Sequence, residues 1–365
     1  LSTIHAPMSN ERLWPNSGGW RSAHIDKKQP KTLALASRAA GGANPERVSS
    51  RGQTKGTSVL NRAKMLSLNR LPNINRERAM AEDKSDVDDH WHVSAACFNC
   101  GAVRTAAPNL FIERNGASAF AHQPASEQET EDAWRGVLVC PVAAVRPPKG
   151  LKMPAGLFPQ ALAPGVWRLG YNARSSYGAH SYITLAGGLR LMIDGSRWSS
   201  HLERWIAEAG GLDHILLTHR DDVADAGIYA KRFGARVWIH ADDADGAPFA
   251  TDVITGDLAH EMLPGVRVIP MAGHTRGSVM FLVNEALFSG DSLCWDFERH
   301  ALRAFRDVCW YDWPTQLRSL ERLVHESFSG VFAGHGGSII LDAPTMQREL
   351  RAFLDTVKAD IPGAG

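Results

Sequence analysis

Four short runs hold most of the residues able to do chemistry. Thr218-His219-Arg220-Asp221-Asp222-Val223-Ala224-Asp225 sets one imidazole beside three carboxylates. Gly273-His274-Thr275-Arg276-Gly277-Ser278 supplies a second imidazole, Gly290-Asp291 a further carboxylate, and Gly334-His335-Gly336 a third imidazole. Each run follows an apolar, β-prone stretch. Strands that end in this way deliver side chains to the carboxyl edge of a sheet, where α/β folds place their chemistry. Imidazoles mixed with carboxylates suit Zn2+, and they also suit iron or manganese. The constellation therefore points to a metal site assembled from strand-end loops.

A second group lies upstream. Cys97-Phe98-Asn99-Cys100 opens a helix-like stretch, and Cys140-Pro141 closes a segment that also contains strand-like runs around Asn115-Gly116 and a helix-like run over 128–139. The remaining cysteines are 294 and 309, which makes the total odd, so a disulfide framework is not suggested. Metal, cluster or buried thiols are the readings left. A zinc site from His90, His92, Cys97 and Cys100 is one of them, although its spacing is loose.

The elements that must position these groups follow from the hydrophobic pattern. Strands are expected at 166–171, 181–187, 189–194, 214–219, 235–240, 266–271, 278–283, 286–289 and 330–333, with helices at 200–209, 222–233, 314–327 and 343–358. Ser199 and Ser200 supply capping residues, with Glu203 in the capping-box position relative to Ser200. Asp222 reads as a helix N-terminal carboxylate or as a ligand. Strands interleaved with helices, with further helices at the end, predict a layered α/β sandwich and not a doubly wound parallel sheet. Pro147, Pro148, Gly150, Pro154 and Gly156 mark a linker. His180, His240 and Cys294 read as structural, and Trp295, Trp310 and Trp313 as packing or pocket wall.

Charge is unevenly distributed. Residues 1–79 hold 14 Lys/Arg against 4 Asp/Glu, whereas the rest hold 26 against 35. A mildly acidic body argues against a nucleic-acid partner, and no apolar stretch is long enough to span a membrane. The basic tail has the Arg- and Ser-rich, acid-poor composition of organelle transit peptides, which gives a chloroplast or other organelle as the expected location. The other readings of the tail are a plain disordered segment or mis-translated sequence upstream of a natural start at Met80. A cytoplasmic location would then follow.

On these motifs, residues 88–148 resemble a single-cluster bacterial-type ferredoxin domain, a small α+β fold with Cys-x2-Cys-x2-Cys and a late Cys-Pro. The resemblance implies an iron–sulfur cluster on Cys97, Cys100 and Cys140. The third ligand position, however, holds Val103, so the set is incomplete. Three thiolates suit a three-iron cluster, or a four-iron cluster with an outside ligand. Residues 156–362 resemble the metallo-β-lactamase superfamily, carried by Met192-Ile193-Asp194-Gly195, Thr218-His219, the Gly-His-Thr-Arg-Gly-Ser run, Gly290-Asp291 and Gly334-His335-Gly336. THRDDVAD together with an upstream ferredoxin-like segment is similar to a plant and algal subgroup.

That resemblance implies an αββα sandwich with His219, Asp221 and His274 at one metal site and Asp291 bridging. Asp225, Asp291 and His335 would form a weaker second site, since Val223, Ala224 and Ala226 cannot bind metal. It further implies a metal-dependent hydrolase acting on a small-molecule substrate, with Asp225 or Asp222 as base. Two other readings stay open. One is an iron-dependent oxidoreductase or electron-transfer protein, with a redox partner, that couples both segments. The other is a catalytically silent member of the fold.

Overall fold

A computed structural model describes residues 89–359; the basic tail, its organelle address and the Met80 start lie outside these residues. The N-terminal part runs β1 (His92–Val93), α1 (Ala102–Ala106), β2 (Phe111–Arg114), β3 (Ala117–Phe120), α2 (Glu127–Val139) and β4 (Val145–Arg146). β1 pairs with β4 and β2 with β3, both antiparallel. The β2–β3 hairpin turns on Asn115-Gly116, with φ of 54° and 74°, the left-handed pair that a tight type I′ turn needs. At the start of α2 the Ser126 hydroxyl accepts the Glu129 amide, satisfying a donor that the first turn leaves free. Ala133, Trp134 and Val139 of that helix join Trp91, Phe111 and Phe120 in a core of their own. Leu157 and Phe158 pack into the same core, so the chain is already held again just beyond the stretch read as a linker.

The larger part continues with β5 (Gln160–Ala163), β6 (Val166–Arg168), β7 (Tyr182–Ala186), β8 (Leu189–Ile193), α3 (Ser200–Glu208), β9 (His214–Leu216), α4 (Ala226–Phe233), β10 (Arg236–His240) and β11 (Asp252–Ile254). These strands form a seven-stranded sheet in the order β11-β10-β9-β8-β7-β6-β5. Then follow β12 (His260–Leu263), β13 (Val266–Pro270), β14 (Val279–Val283), β15 (Ala286–Gly290), β16 (Cys294–Asp296), β17 (Ala301–Arg303), α5 (Trp313–Glu321), β18 (Gly330–Ala333), β19 (Ile339–Ile340) and α6 (Ala343–Ala359). A six-stranded sheet runs β12-β13-β14-β15-β18-β19, and β16 pairs with β17 alone.

The burial pattern explains the layering. Tyr182, Leu191, Ile193 and Leu216 of the first sheet meet Val268, Phe281, Phe288 and Phe332 of the second in one cluster. The opposite face of the second sheet, with Ile269, Met280, Leu287 and Val331, is covered by Leu317 and Leu320 of α5 and by Met346, Leu350 and Leu354 of α6. On the first sheet, α4 packs against β9 and β10. Helix, sheet, sheet and helix therefore stack in that order. β14 is buried along its whole length, as a central strand with a layer on each side must be. Each fully buried Leu or Phe here contributes about 1.5–3 kcal/mol of hydrophobic stabilisation.

Most predicted strands are found, and the departures have local causes. β5, β11, β12 and β19 lie at sheet edges, where short, half-exposed strands leave little periodic signal. The helix expected at 222–233 begins only at Ala226, because Ala224 takes a left-handed φ of 41°. The helix expected at 314–327 ends at Glu321 and passes into a tighter turn over Arg322–His325. Ser199 is the cap of α3, accepting the His201 amide. Glu203 forms no capping box with Ser200, and its carboxylate takes Arg232 of α4 instead.

Candidate metal centre

The strand carrying the first motif stops short of His219 because its neighbours are already committed. The Thr218 amide donates to Oδ1 of Asp194 at 2.7 Å, and the Thr218 carbonyl accepts the Val279 amide at the head of β14 at 2.8 Å. One residue thus ties the two sheets together directly beneath the site. Asp194 takes a left-handed φ of 58° to make this contact, and burial raises its carboxyl to about 8. The Thr218 hydroxyl donates to Asp194, so toward Nδ1 of His219, 3.0 Å away, it can only accept. Nδ1 of His219 therefore carries the ring proton, and Nε2 is left with its lone pair.

That lone pair faces a buried cluster. Nε2 of His219 lies 3.7 Å from Oδ2 of Asp291, and Nε2 of His274 lies 3.6 Å from the same oxygen and 3.8 Å from Oδ2 of Asp221. The rings of His219 and His274 meet edge to face, 4.8 Å apart. Two sets of potential ligand atoms, His219–Asp221–His274 and His219–Asp222–Asp291, each converge within 4.8 Å. Nε2 of both histidines and both carboxylate oxygens of Asp222 are buried without a hydrogen-bond partner. Such orphaned atoms cost about 1–3 kcal/mol each, more when charged, and a cation among them would remove that cost. Nitrogen and oxygen donors converging in this way fit a divalent metal.

Electrostatics agree with the geometry. Burial holds the His219 imidazole below its ordinary value and lowers His274 to about 4, so both rings are neutral near pH 7. Burial, reinforced by the Asp291, Asp194 and Asp221 carboxylates, raises Asp222 well above the carboxylate range. Asp221 is raised mainly by burial. Burial also opposes ionisation of Asp291, yet the His335 ring, through its charge and its hydrogen bond, holds it far below that range.

Three sequence expectations change here. Asp222 is not a helix N-terminal carboxylate; it is 1% exposed and belongs to the cluster, because α4 starts later. Asp225 sits at the α4 cap, and its Oδ2 accepts the Trp198 amide at 2.7 Å. His335 uses Nδ1 on both oxygens of Asp291 (2.8 and 2.9 Å), and its Nε2 donates to the Tyr177 carbonyl at 3.2 Å. With acceptors at both nitrogens the ring orients Asp291. Burial would lower its pKa, but the Asp291 carboxylate raises it. Among the described residues no set of three converging ligand atoms includes Asp225 or His335.

Asp243 was not singled out by sequence, yet it holds the site's two main loops together. It accepts the Arg220 amide at 3.1 Å beside the first motif, and the Thr275 hydroxyl (2.5 Å) and Gly277 amide (3.1 Å) of the second. An Asp after a strand gives no sign of such a role, since its partners are distant in sequence. Cys294 is buried against Gly336, and burial pushes its thiol up to about 12. His180 bonds to Thr105 and Asn172.

The cysteine group forms a separate pocket. Cys97, Cys100, Cys140, Val103 and Val93 line it together. Cys97 Sγ accepts the Ser118 amide at 3.4 Å, and Cys140 Sγ accepts the Ala144 amide at 3.0 Å. Among the described residues these sulfurs make no compact single-ion set with His90 or His92.

Residues 93–146 match the family described as the 4Fe-4S single cluster domain of Ferredoxin I. A hydroxyacylglutathione hydrolase of Acidiphilium cryptum (strain JF-5) is 35% identical over 121 residues, 31% of this chain and 49% of that protein. One from Anaeromyxobacter dehalogenans (strain 2CP-C) is 30% identical over 135 residues, covering 33% and 49%. The chain thus spans about half the length of these curated relatives. An archaeal metallo-β-lactamase superfamily structure from Sulfolobus tokodaii aligns at 20% identity and a TM-score of 0.39, covering 53% of this chain and 85% of that one. The larger part of the chain, with its stacked αββα layers, is thus similar over about a third of the chain to hydroxyacylglutathione hydrolases, behind a segment that matches the single-cluster ferredoxin family.

Proposed function

We propose that the protein is a metal-dependent hydrolase of a small-molecule substrate with one tight metal site, held by His219, Asp221 and His274 with Asp291 alongside. The observation that carries this reading is the set of buried, unpartnered atoms, Nε2 of His219, Nε2 of His274 and the Asp222 carboxylate. Zinc or iron, when bound, would supply a Lewis acid that polarises an electrophilic carbonyl or phosphoryl centre and makes water more acidic. The protein's own contribution is positional. Thr218 fixes the His219 tautomer, His335 orients Asp291, and Asp243 holds the two loops in register. Asp222, buried with neither carboxylate oxygen given a hydrogen-bond partner, would take the proton removed from the attacking water. Asp225 is engaged with Trp198 and leaves that role to Asp222.

The curated relatives are hydroxyacylglutathione hydrolases, which makes thioesters the first substrate class to try, with lactones and phosphodiesters beside them. Protein reconstituted with Zn2+ or Fe2+ should turn over at least one class. Asp222→Asn should lose about 10²–10⁴-fold in rate. Metal-loaded protein inert on every class would overturn the hydrolase reading.

For the N-terminal segment, Cys97, Cys100 and Cys140 do not fit a four-thiolate cluster, because Val103 fills the remaining place and is buried. Three thiolates in one pocket suit a three-iron cluster, or a four-iron cluster completed from outside. An organelle address in residues 1–79 belongs to this proposal and would be read by import of the full chain.

A further inference from the structure

The loop of residues 171–180 touches both the segment that carries the cysteine pocket and the body that carries the metal cluster. Gly178 has φ +86°, and a Cβ there would lie 2.8 Å from Sγ of Cys100 and 3.3 Å from Pro141, so the backbone rests directly on the pocket wall. The Tyr177 hydroxyl donates to the Phe98 carbonyl at 3.0 Å, and the two rings lie 4.8 Å apart. His180, 1% exposed, bonds through Nε2 to the Thr105 hydroxyl of α1 at 2.8 Å and through Nδ1 to Asn172 at 3.1 Å. Its amide donates to the Gly334 carbonyl, next to His335. On its other side the same loop presents the Tyr177 carbonyl to Nε2 of His335, whose Nδ1 holds Asp291.

From these contacts, and resting on the metal site proposed above, we infer that His335 is a positioning residue that couples the cysteine pocket to the metal ligand Asp291. The peptide unit joining Tyr177 to Gly178 cannot shift against Cys100 without moving the acceptor that fixes one end of the His335 ring. The other end of that ring sets the angle at which Asp291 faces His219 and His274. What fills or distorts the pocket therefore changes the affinity of the metal centre, and metal at the centre changes the pocket reciprocally. Spatial intermediacy alone does not establish coupling, so the test is a cycle of variants.

Mn2+ is the probe, because it favours carboxylate and imidazole over thiolate, and free and bound ion are separated by electron paramagnetic resonance on the full chain. His335→Ala should weaken Mn2+ binding about 10–100-fold, as loss of an outer-shell partner does. His335→Asn should recover most of that, since its side-chain amide can still donate to Asp291 although it cannot reach Tyr177. Gly178→Ala should weaken binding about fivefold or more when His335 is present, and should change little when Asn stands there. Thr105→Val, which deletes the hydroxyl on His180, should behave in the same way and decides the matter if Gly178→Ala does not fold. Additive effects throughout, or no effect of either loop change on a wild type that binds Mn2+, would overturn the coupling and leave the metal site standing. A wild type that binds no Mn2+, Zn2+ or Fe2+ would overturn both.

Discussion

His219 and His274 aim their Nε2 atoms at one oxygen, Oδ2 of Asp291, from 3.7 and 3.6 Å. Two neutral, buried imidazoles would not converge on a single carboxylate oxygen for packing alone, because neither nitrogen reaches hydrogen-bond distance of it. The gap is the size a metal ion fills, with metal–ligand bonds of about 2.0–2.2 Å on each side.

Thr218 is the hinge between Asp194 and His219, its hydroxyl donating to the Asp194 carboxylate and accepting from Nδ1 of His219. Thr218→Val keeps the shape and removes the hydroxyl, which frees the His219 ring to rotate and to change tautomer. Metal affinity, measured by competition with a chromophoric chelator, should fall about 10–100-fold. Thr218→Ser should retain most of it, and equal losses in both variants would show that the hydroxyl is not the cause.

Gly195 passes so close to the Val223 carbonyl that a Cβ would overlap it, and its amide donates to the Asp222 carbonyl at 2.9 Å. Gly195→Ala must push away the loop bearing Asp221 and Asp222. A loss of about 1–3 kcal/mol in urea unfolding, together with weaker metal binding, is expected. Unchanged stability would mean that the loop yields freely.

Val103 occupies the place of a fourth cluster ligand and lines the cysteine pocket. Val103→Cys, reconstituted with iron and sulfide without oxygen, should gain or strengthen a brown chromophore over the wild type. A colourless variant would contradict the ferredoxin reading of the pocket.

Asp213 takes Arg190 through both carboxylate oxygens, at 3.0 and 3.2 Å, and through its backbone amide at 2.8 Å. Partial burial opposes the shift, but these bonds hold Asp213 below the usual carboxylate range. A carboxylate depressed in the folded state contributes stability that is present above its unfolded value, about 3.9. That contribution is lost as pH falls through the lower folded value. Asp213→Asn should therefore destabilise the protein at pH 7, and the difference from wild type should shrink as the pH approaches 3. A gap constant from pH 7 to 3 would contradict the assignment.

The residues that read clearly in sequence are those whose partners lie close along the chain or whose burial is periodic. The central strands over 266–271 and 278–283 and the Asn115-Gly116 hairpin belong to this kind. So does the convergence of His219, Asp221, His274 and Asp291 at strand ends. Asp222, Asp225 and His335 were harder because their roles depend on single bonds to remote groups. Ala224 in a left-handed turn carries Asp222 inward, the Trp198 amide takes up Asp225, and the Tyr177 carbonyl holds the far side of the His335 ring while Nδ1 meets Asp291. Asp243 gave no signal at all, since its three partners come from loops brought together only by the sandwich.

The most direct test is elemental analysis, with a visible spectrum, of the purified full chain beside His274→Ala. Deleting that imidazole removes a ligand that no neighbour duplicates, so its effect should exceed the ~10–100-fold of outer-shell changes. The account predicts close to one divalent ion per wild-type chain at this centre, counted apart from any iron bound with acid-labile sulfide, and almost none in the variant. Equal metal content in the two proteins, or no metal in the wild type, would contradict it.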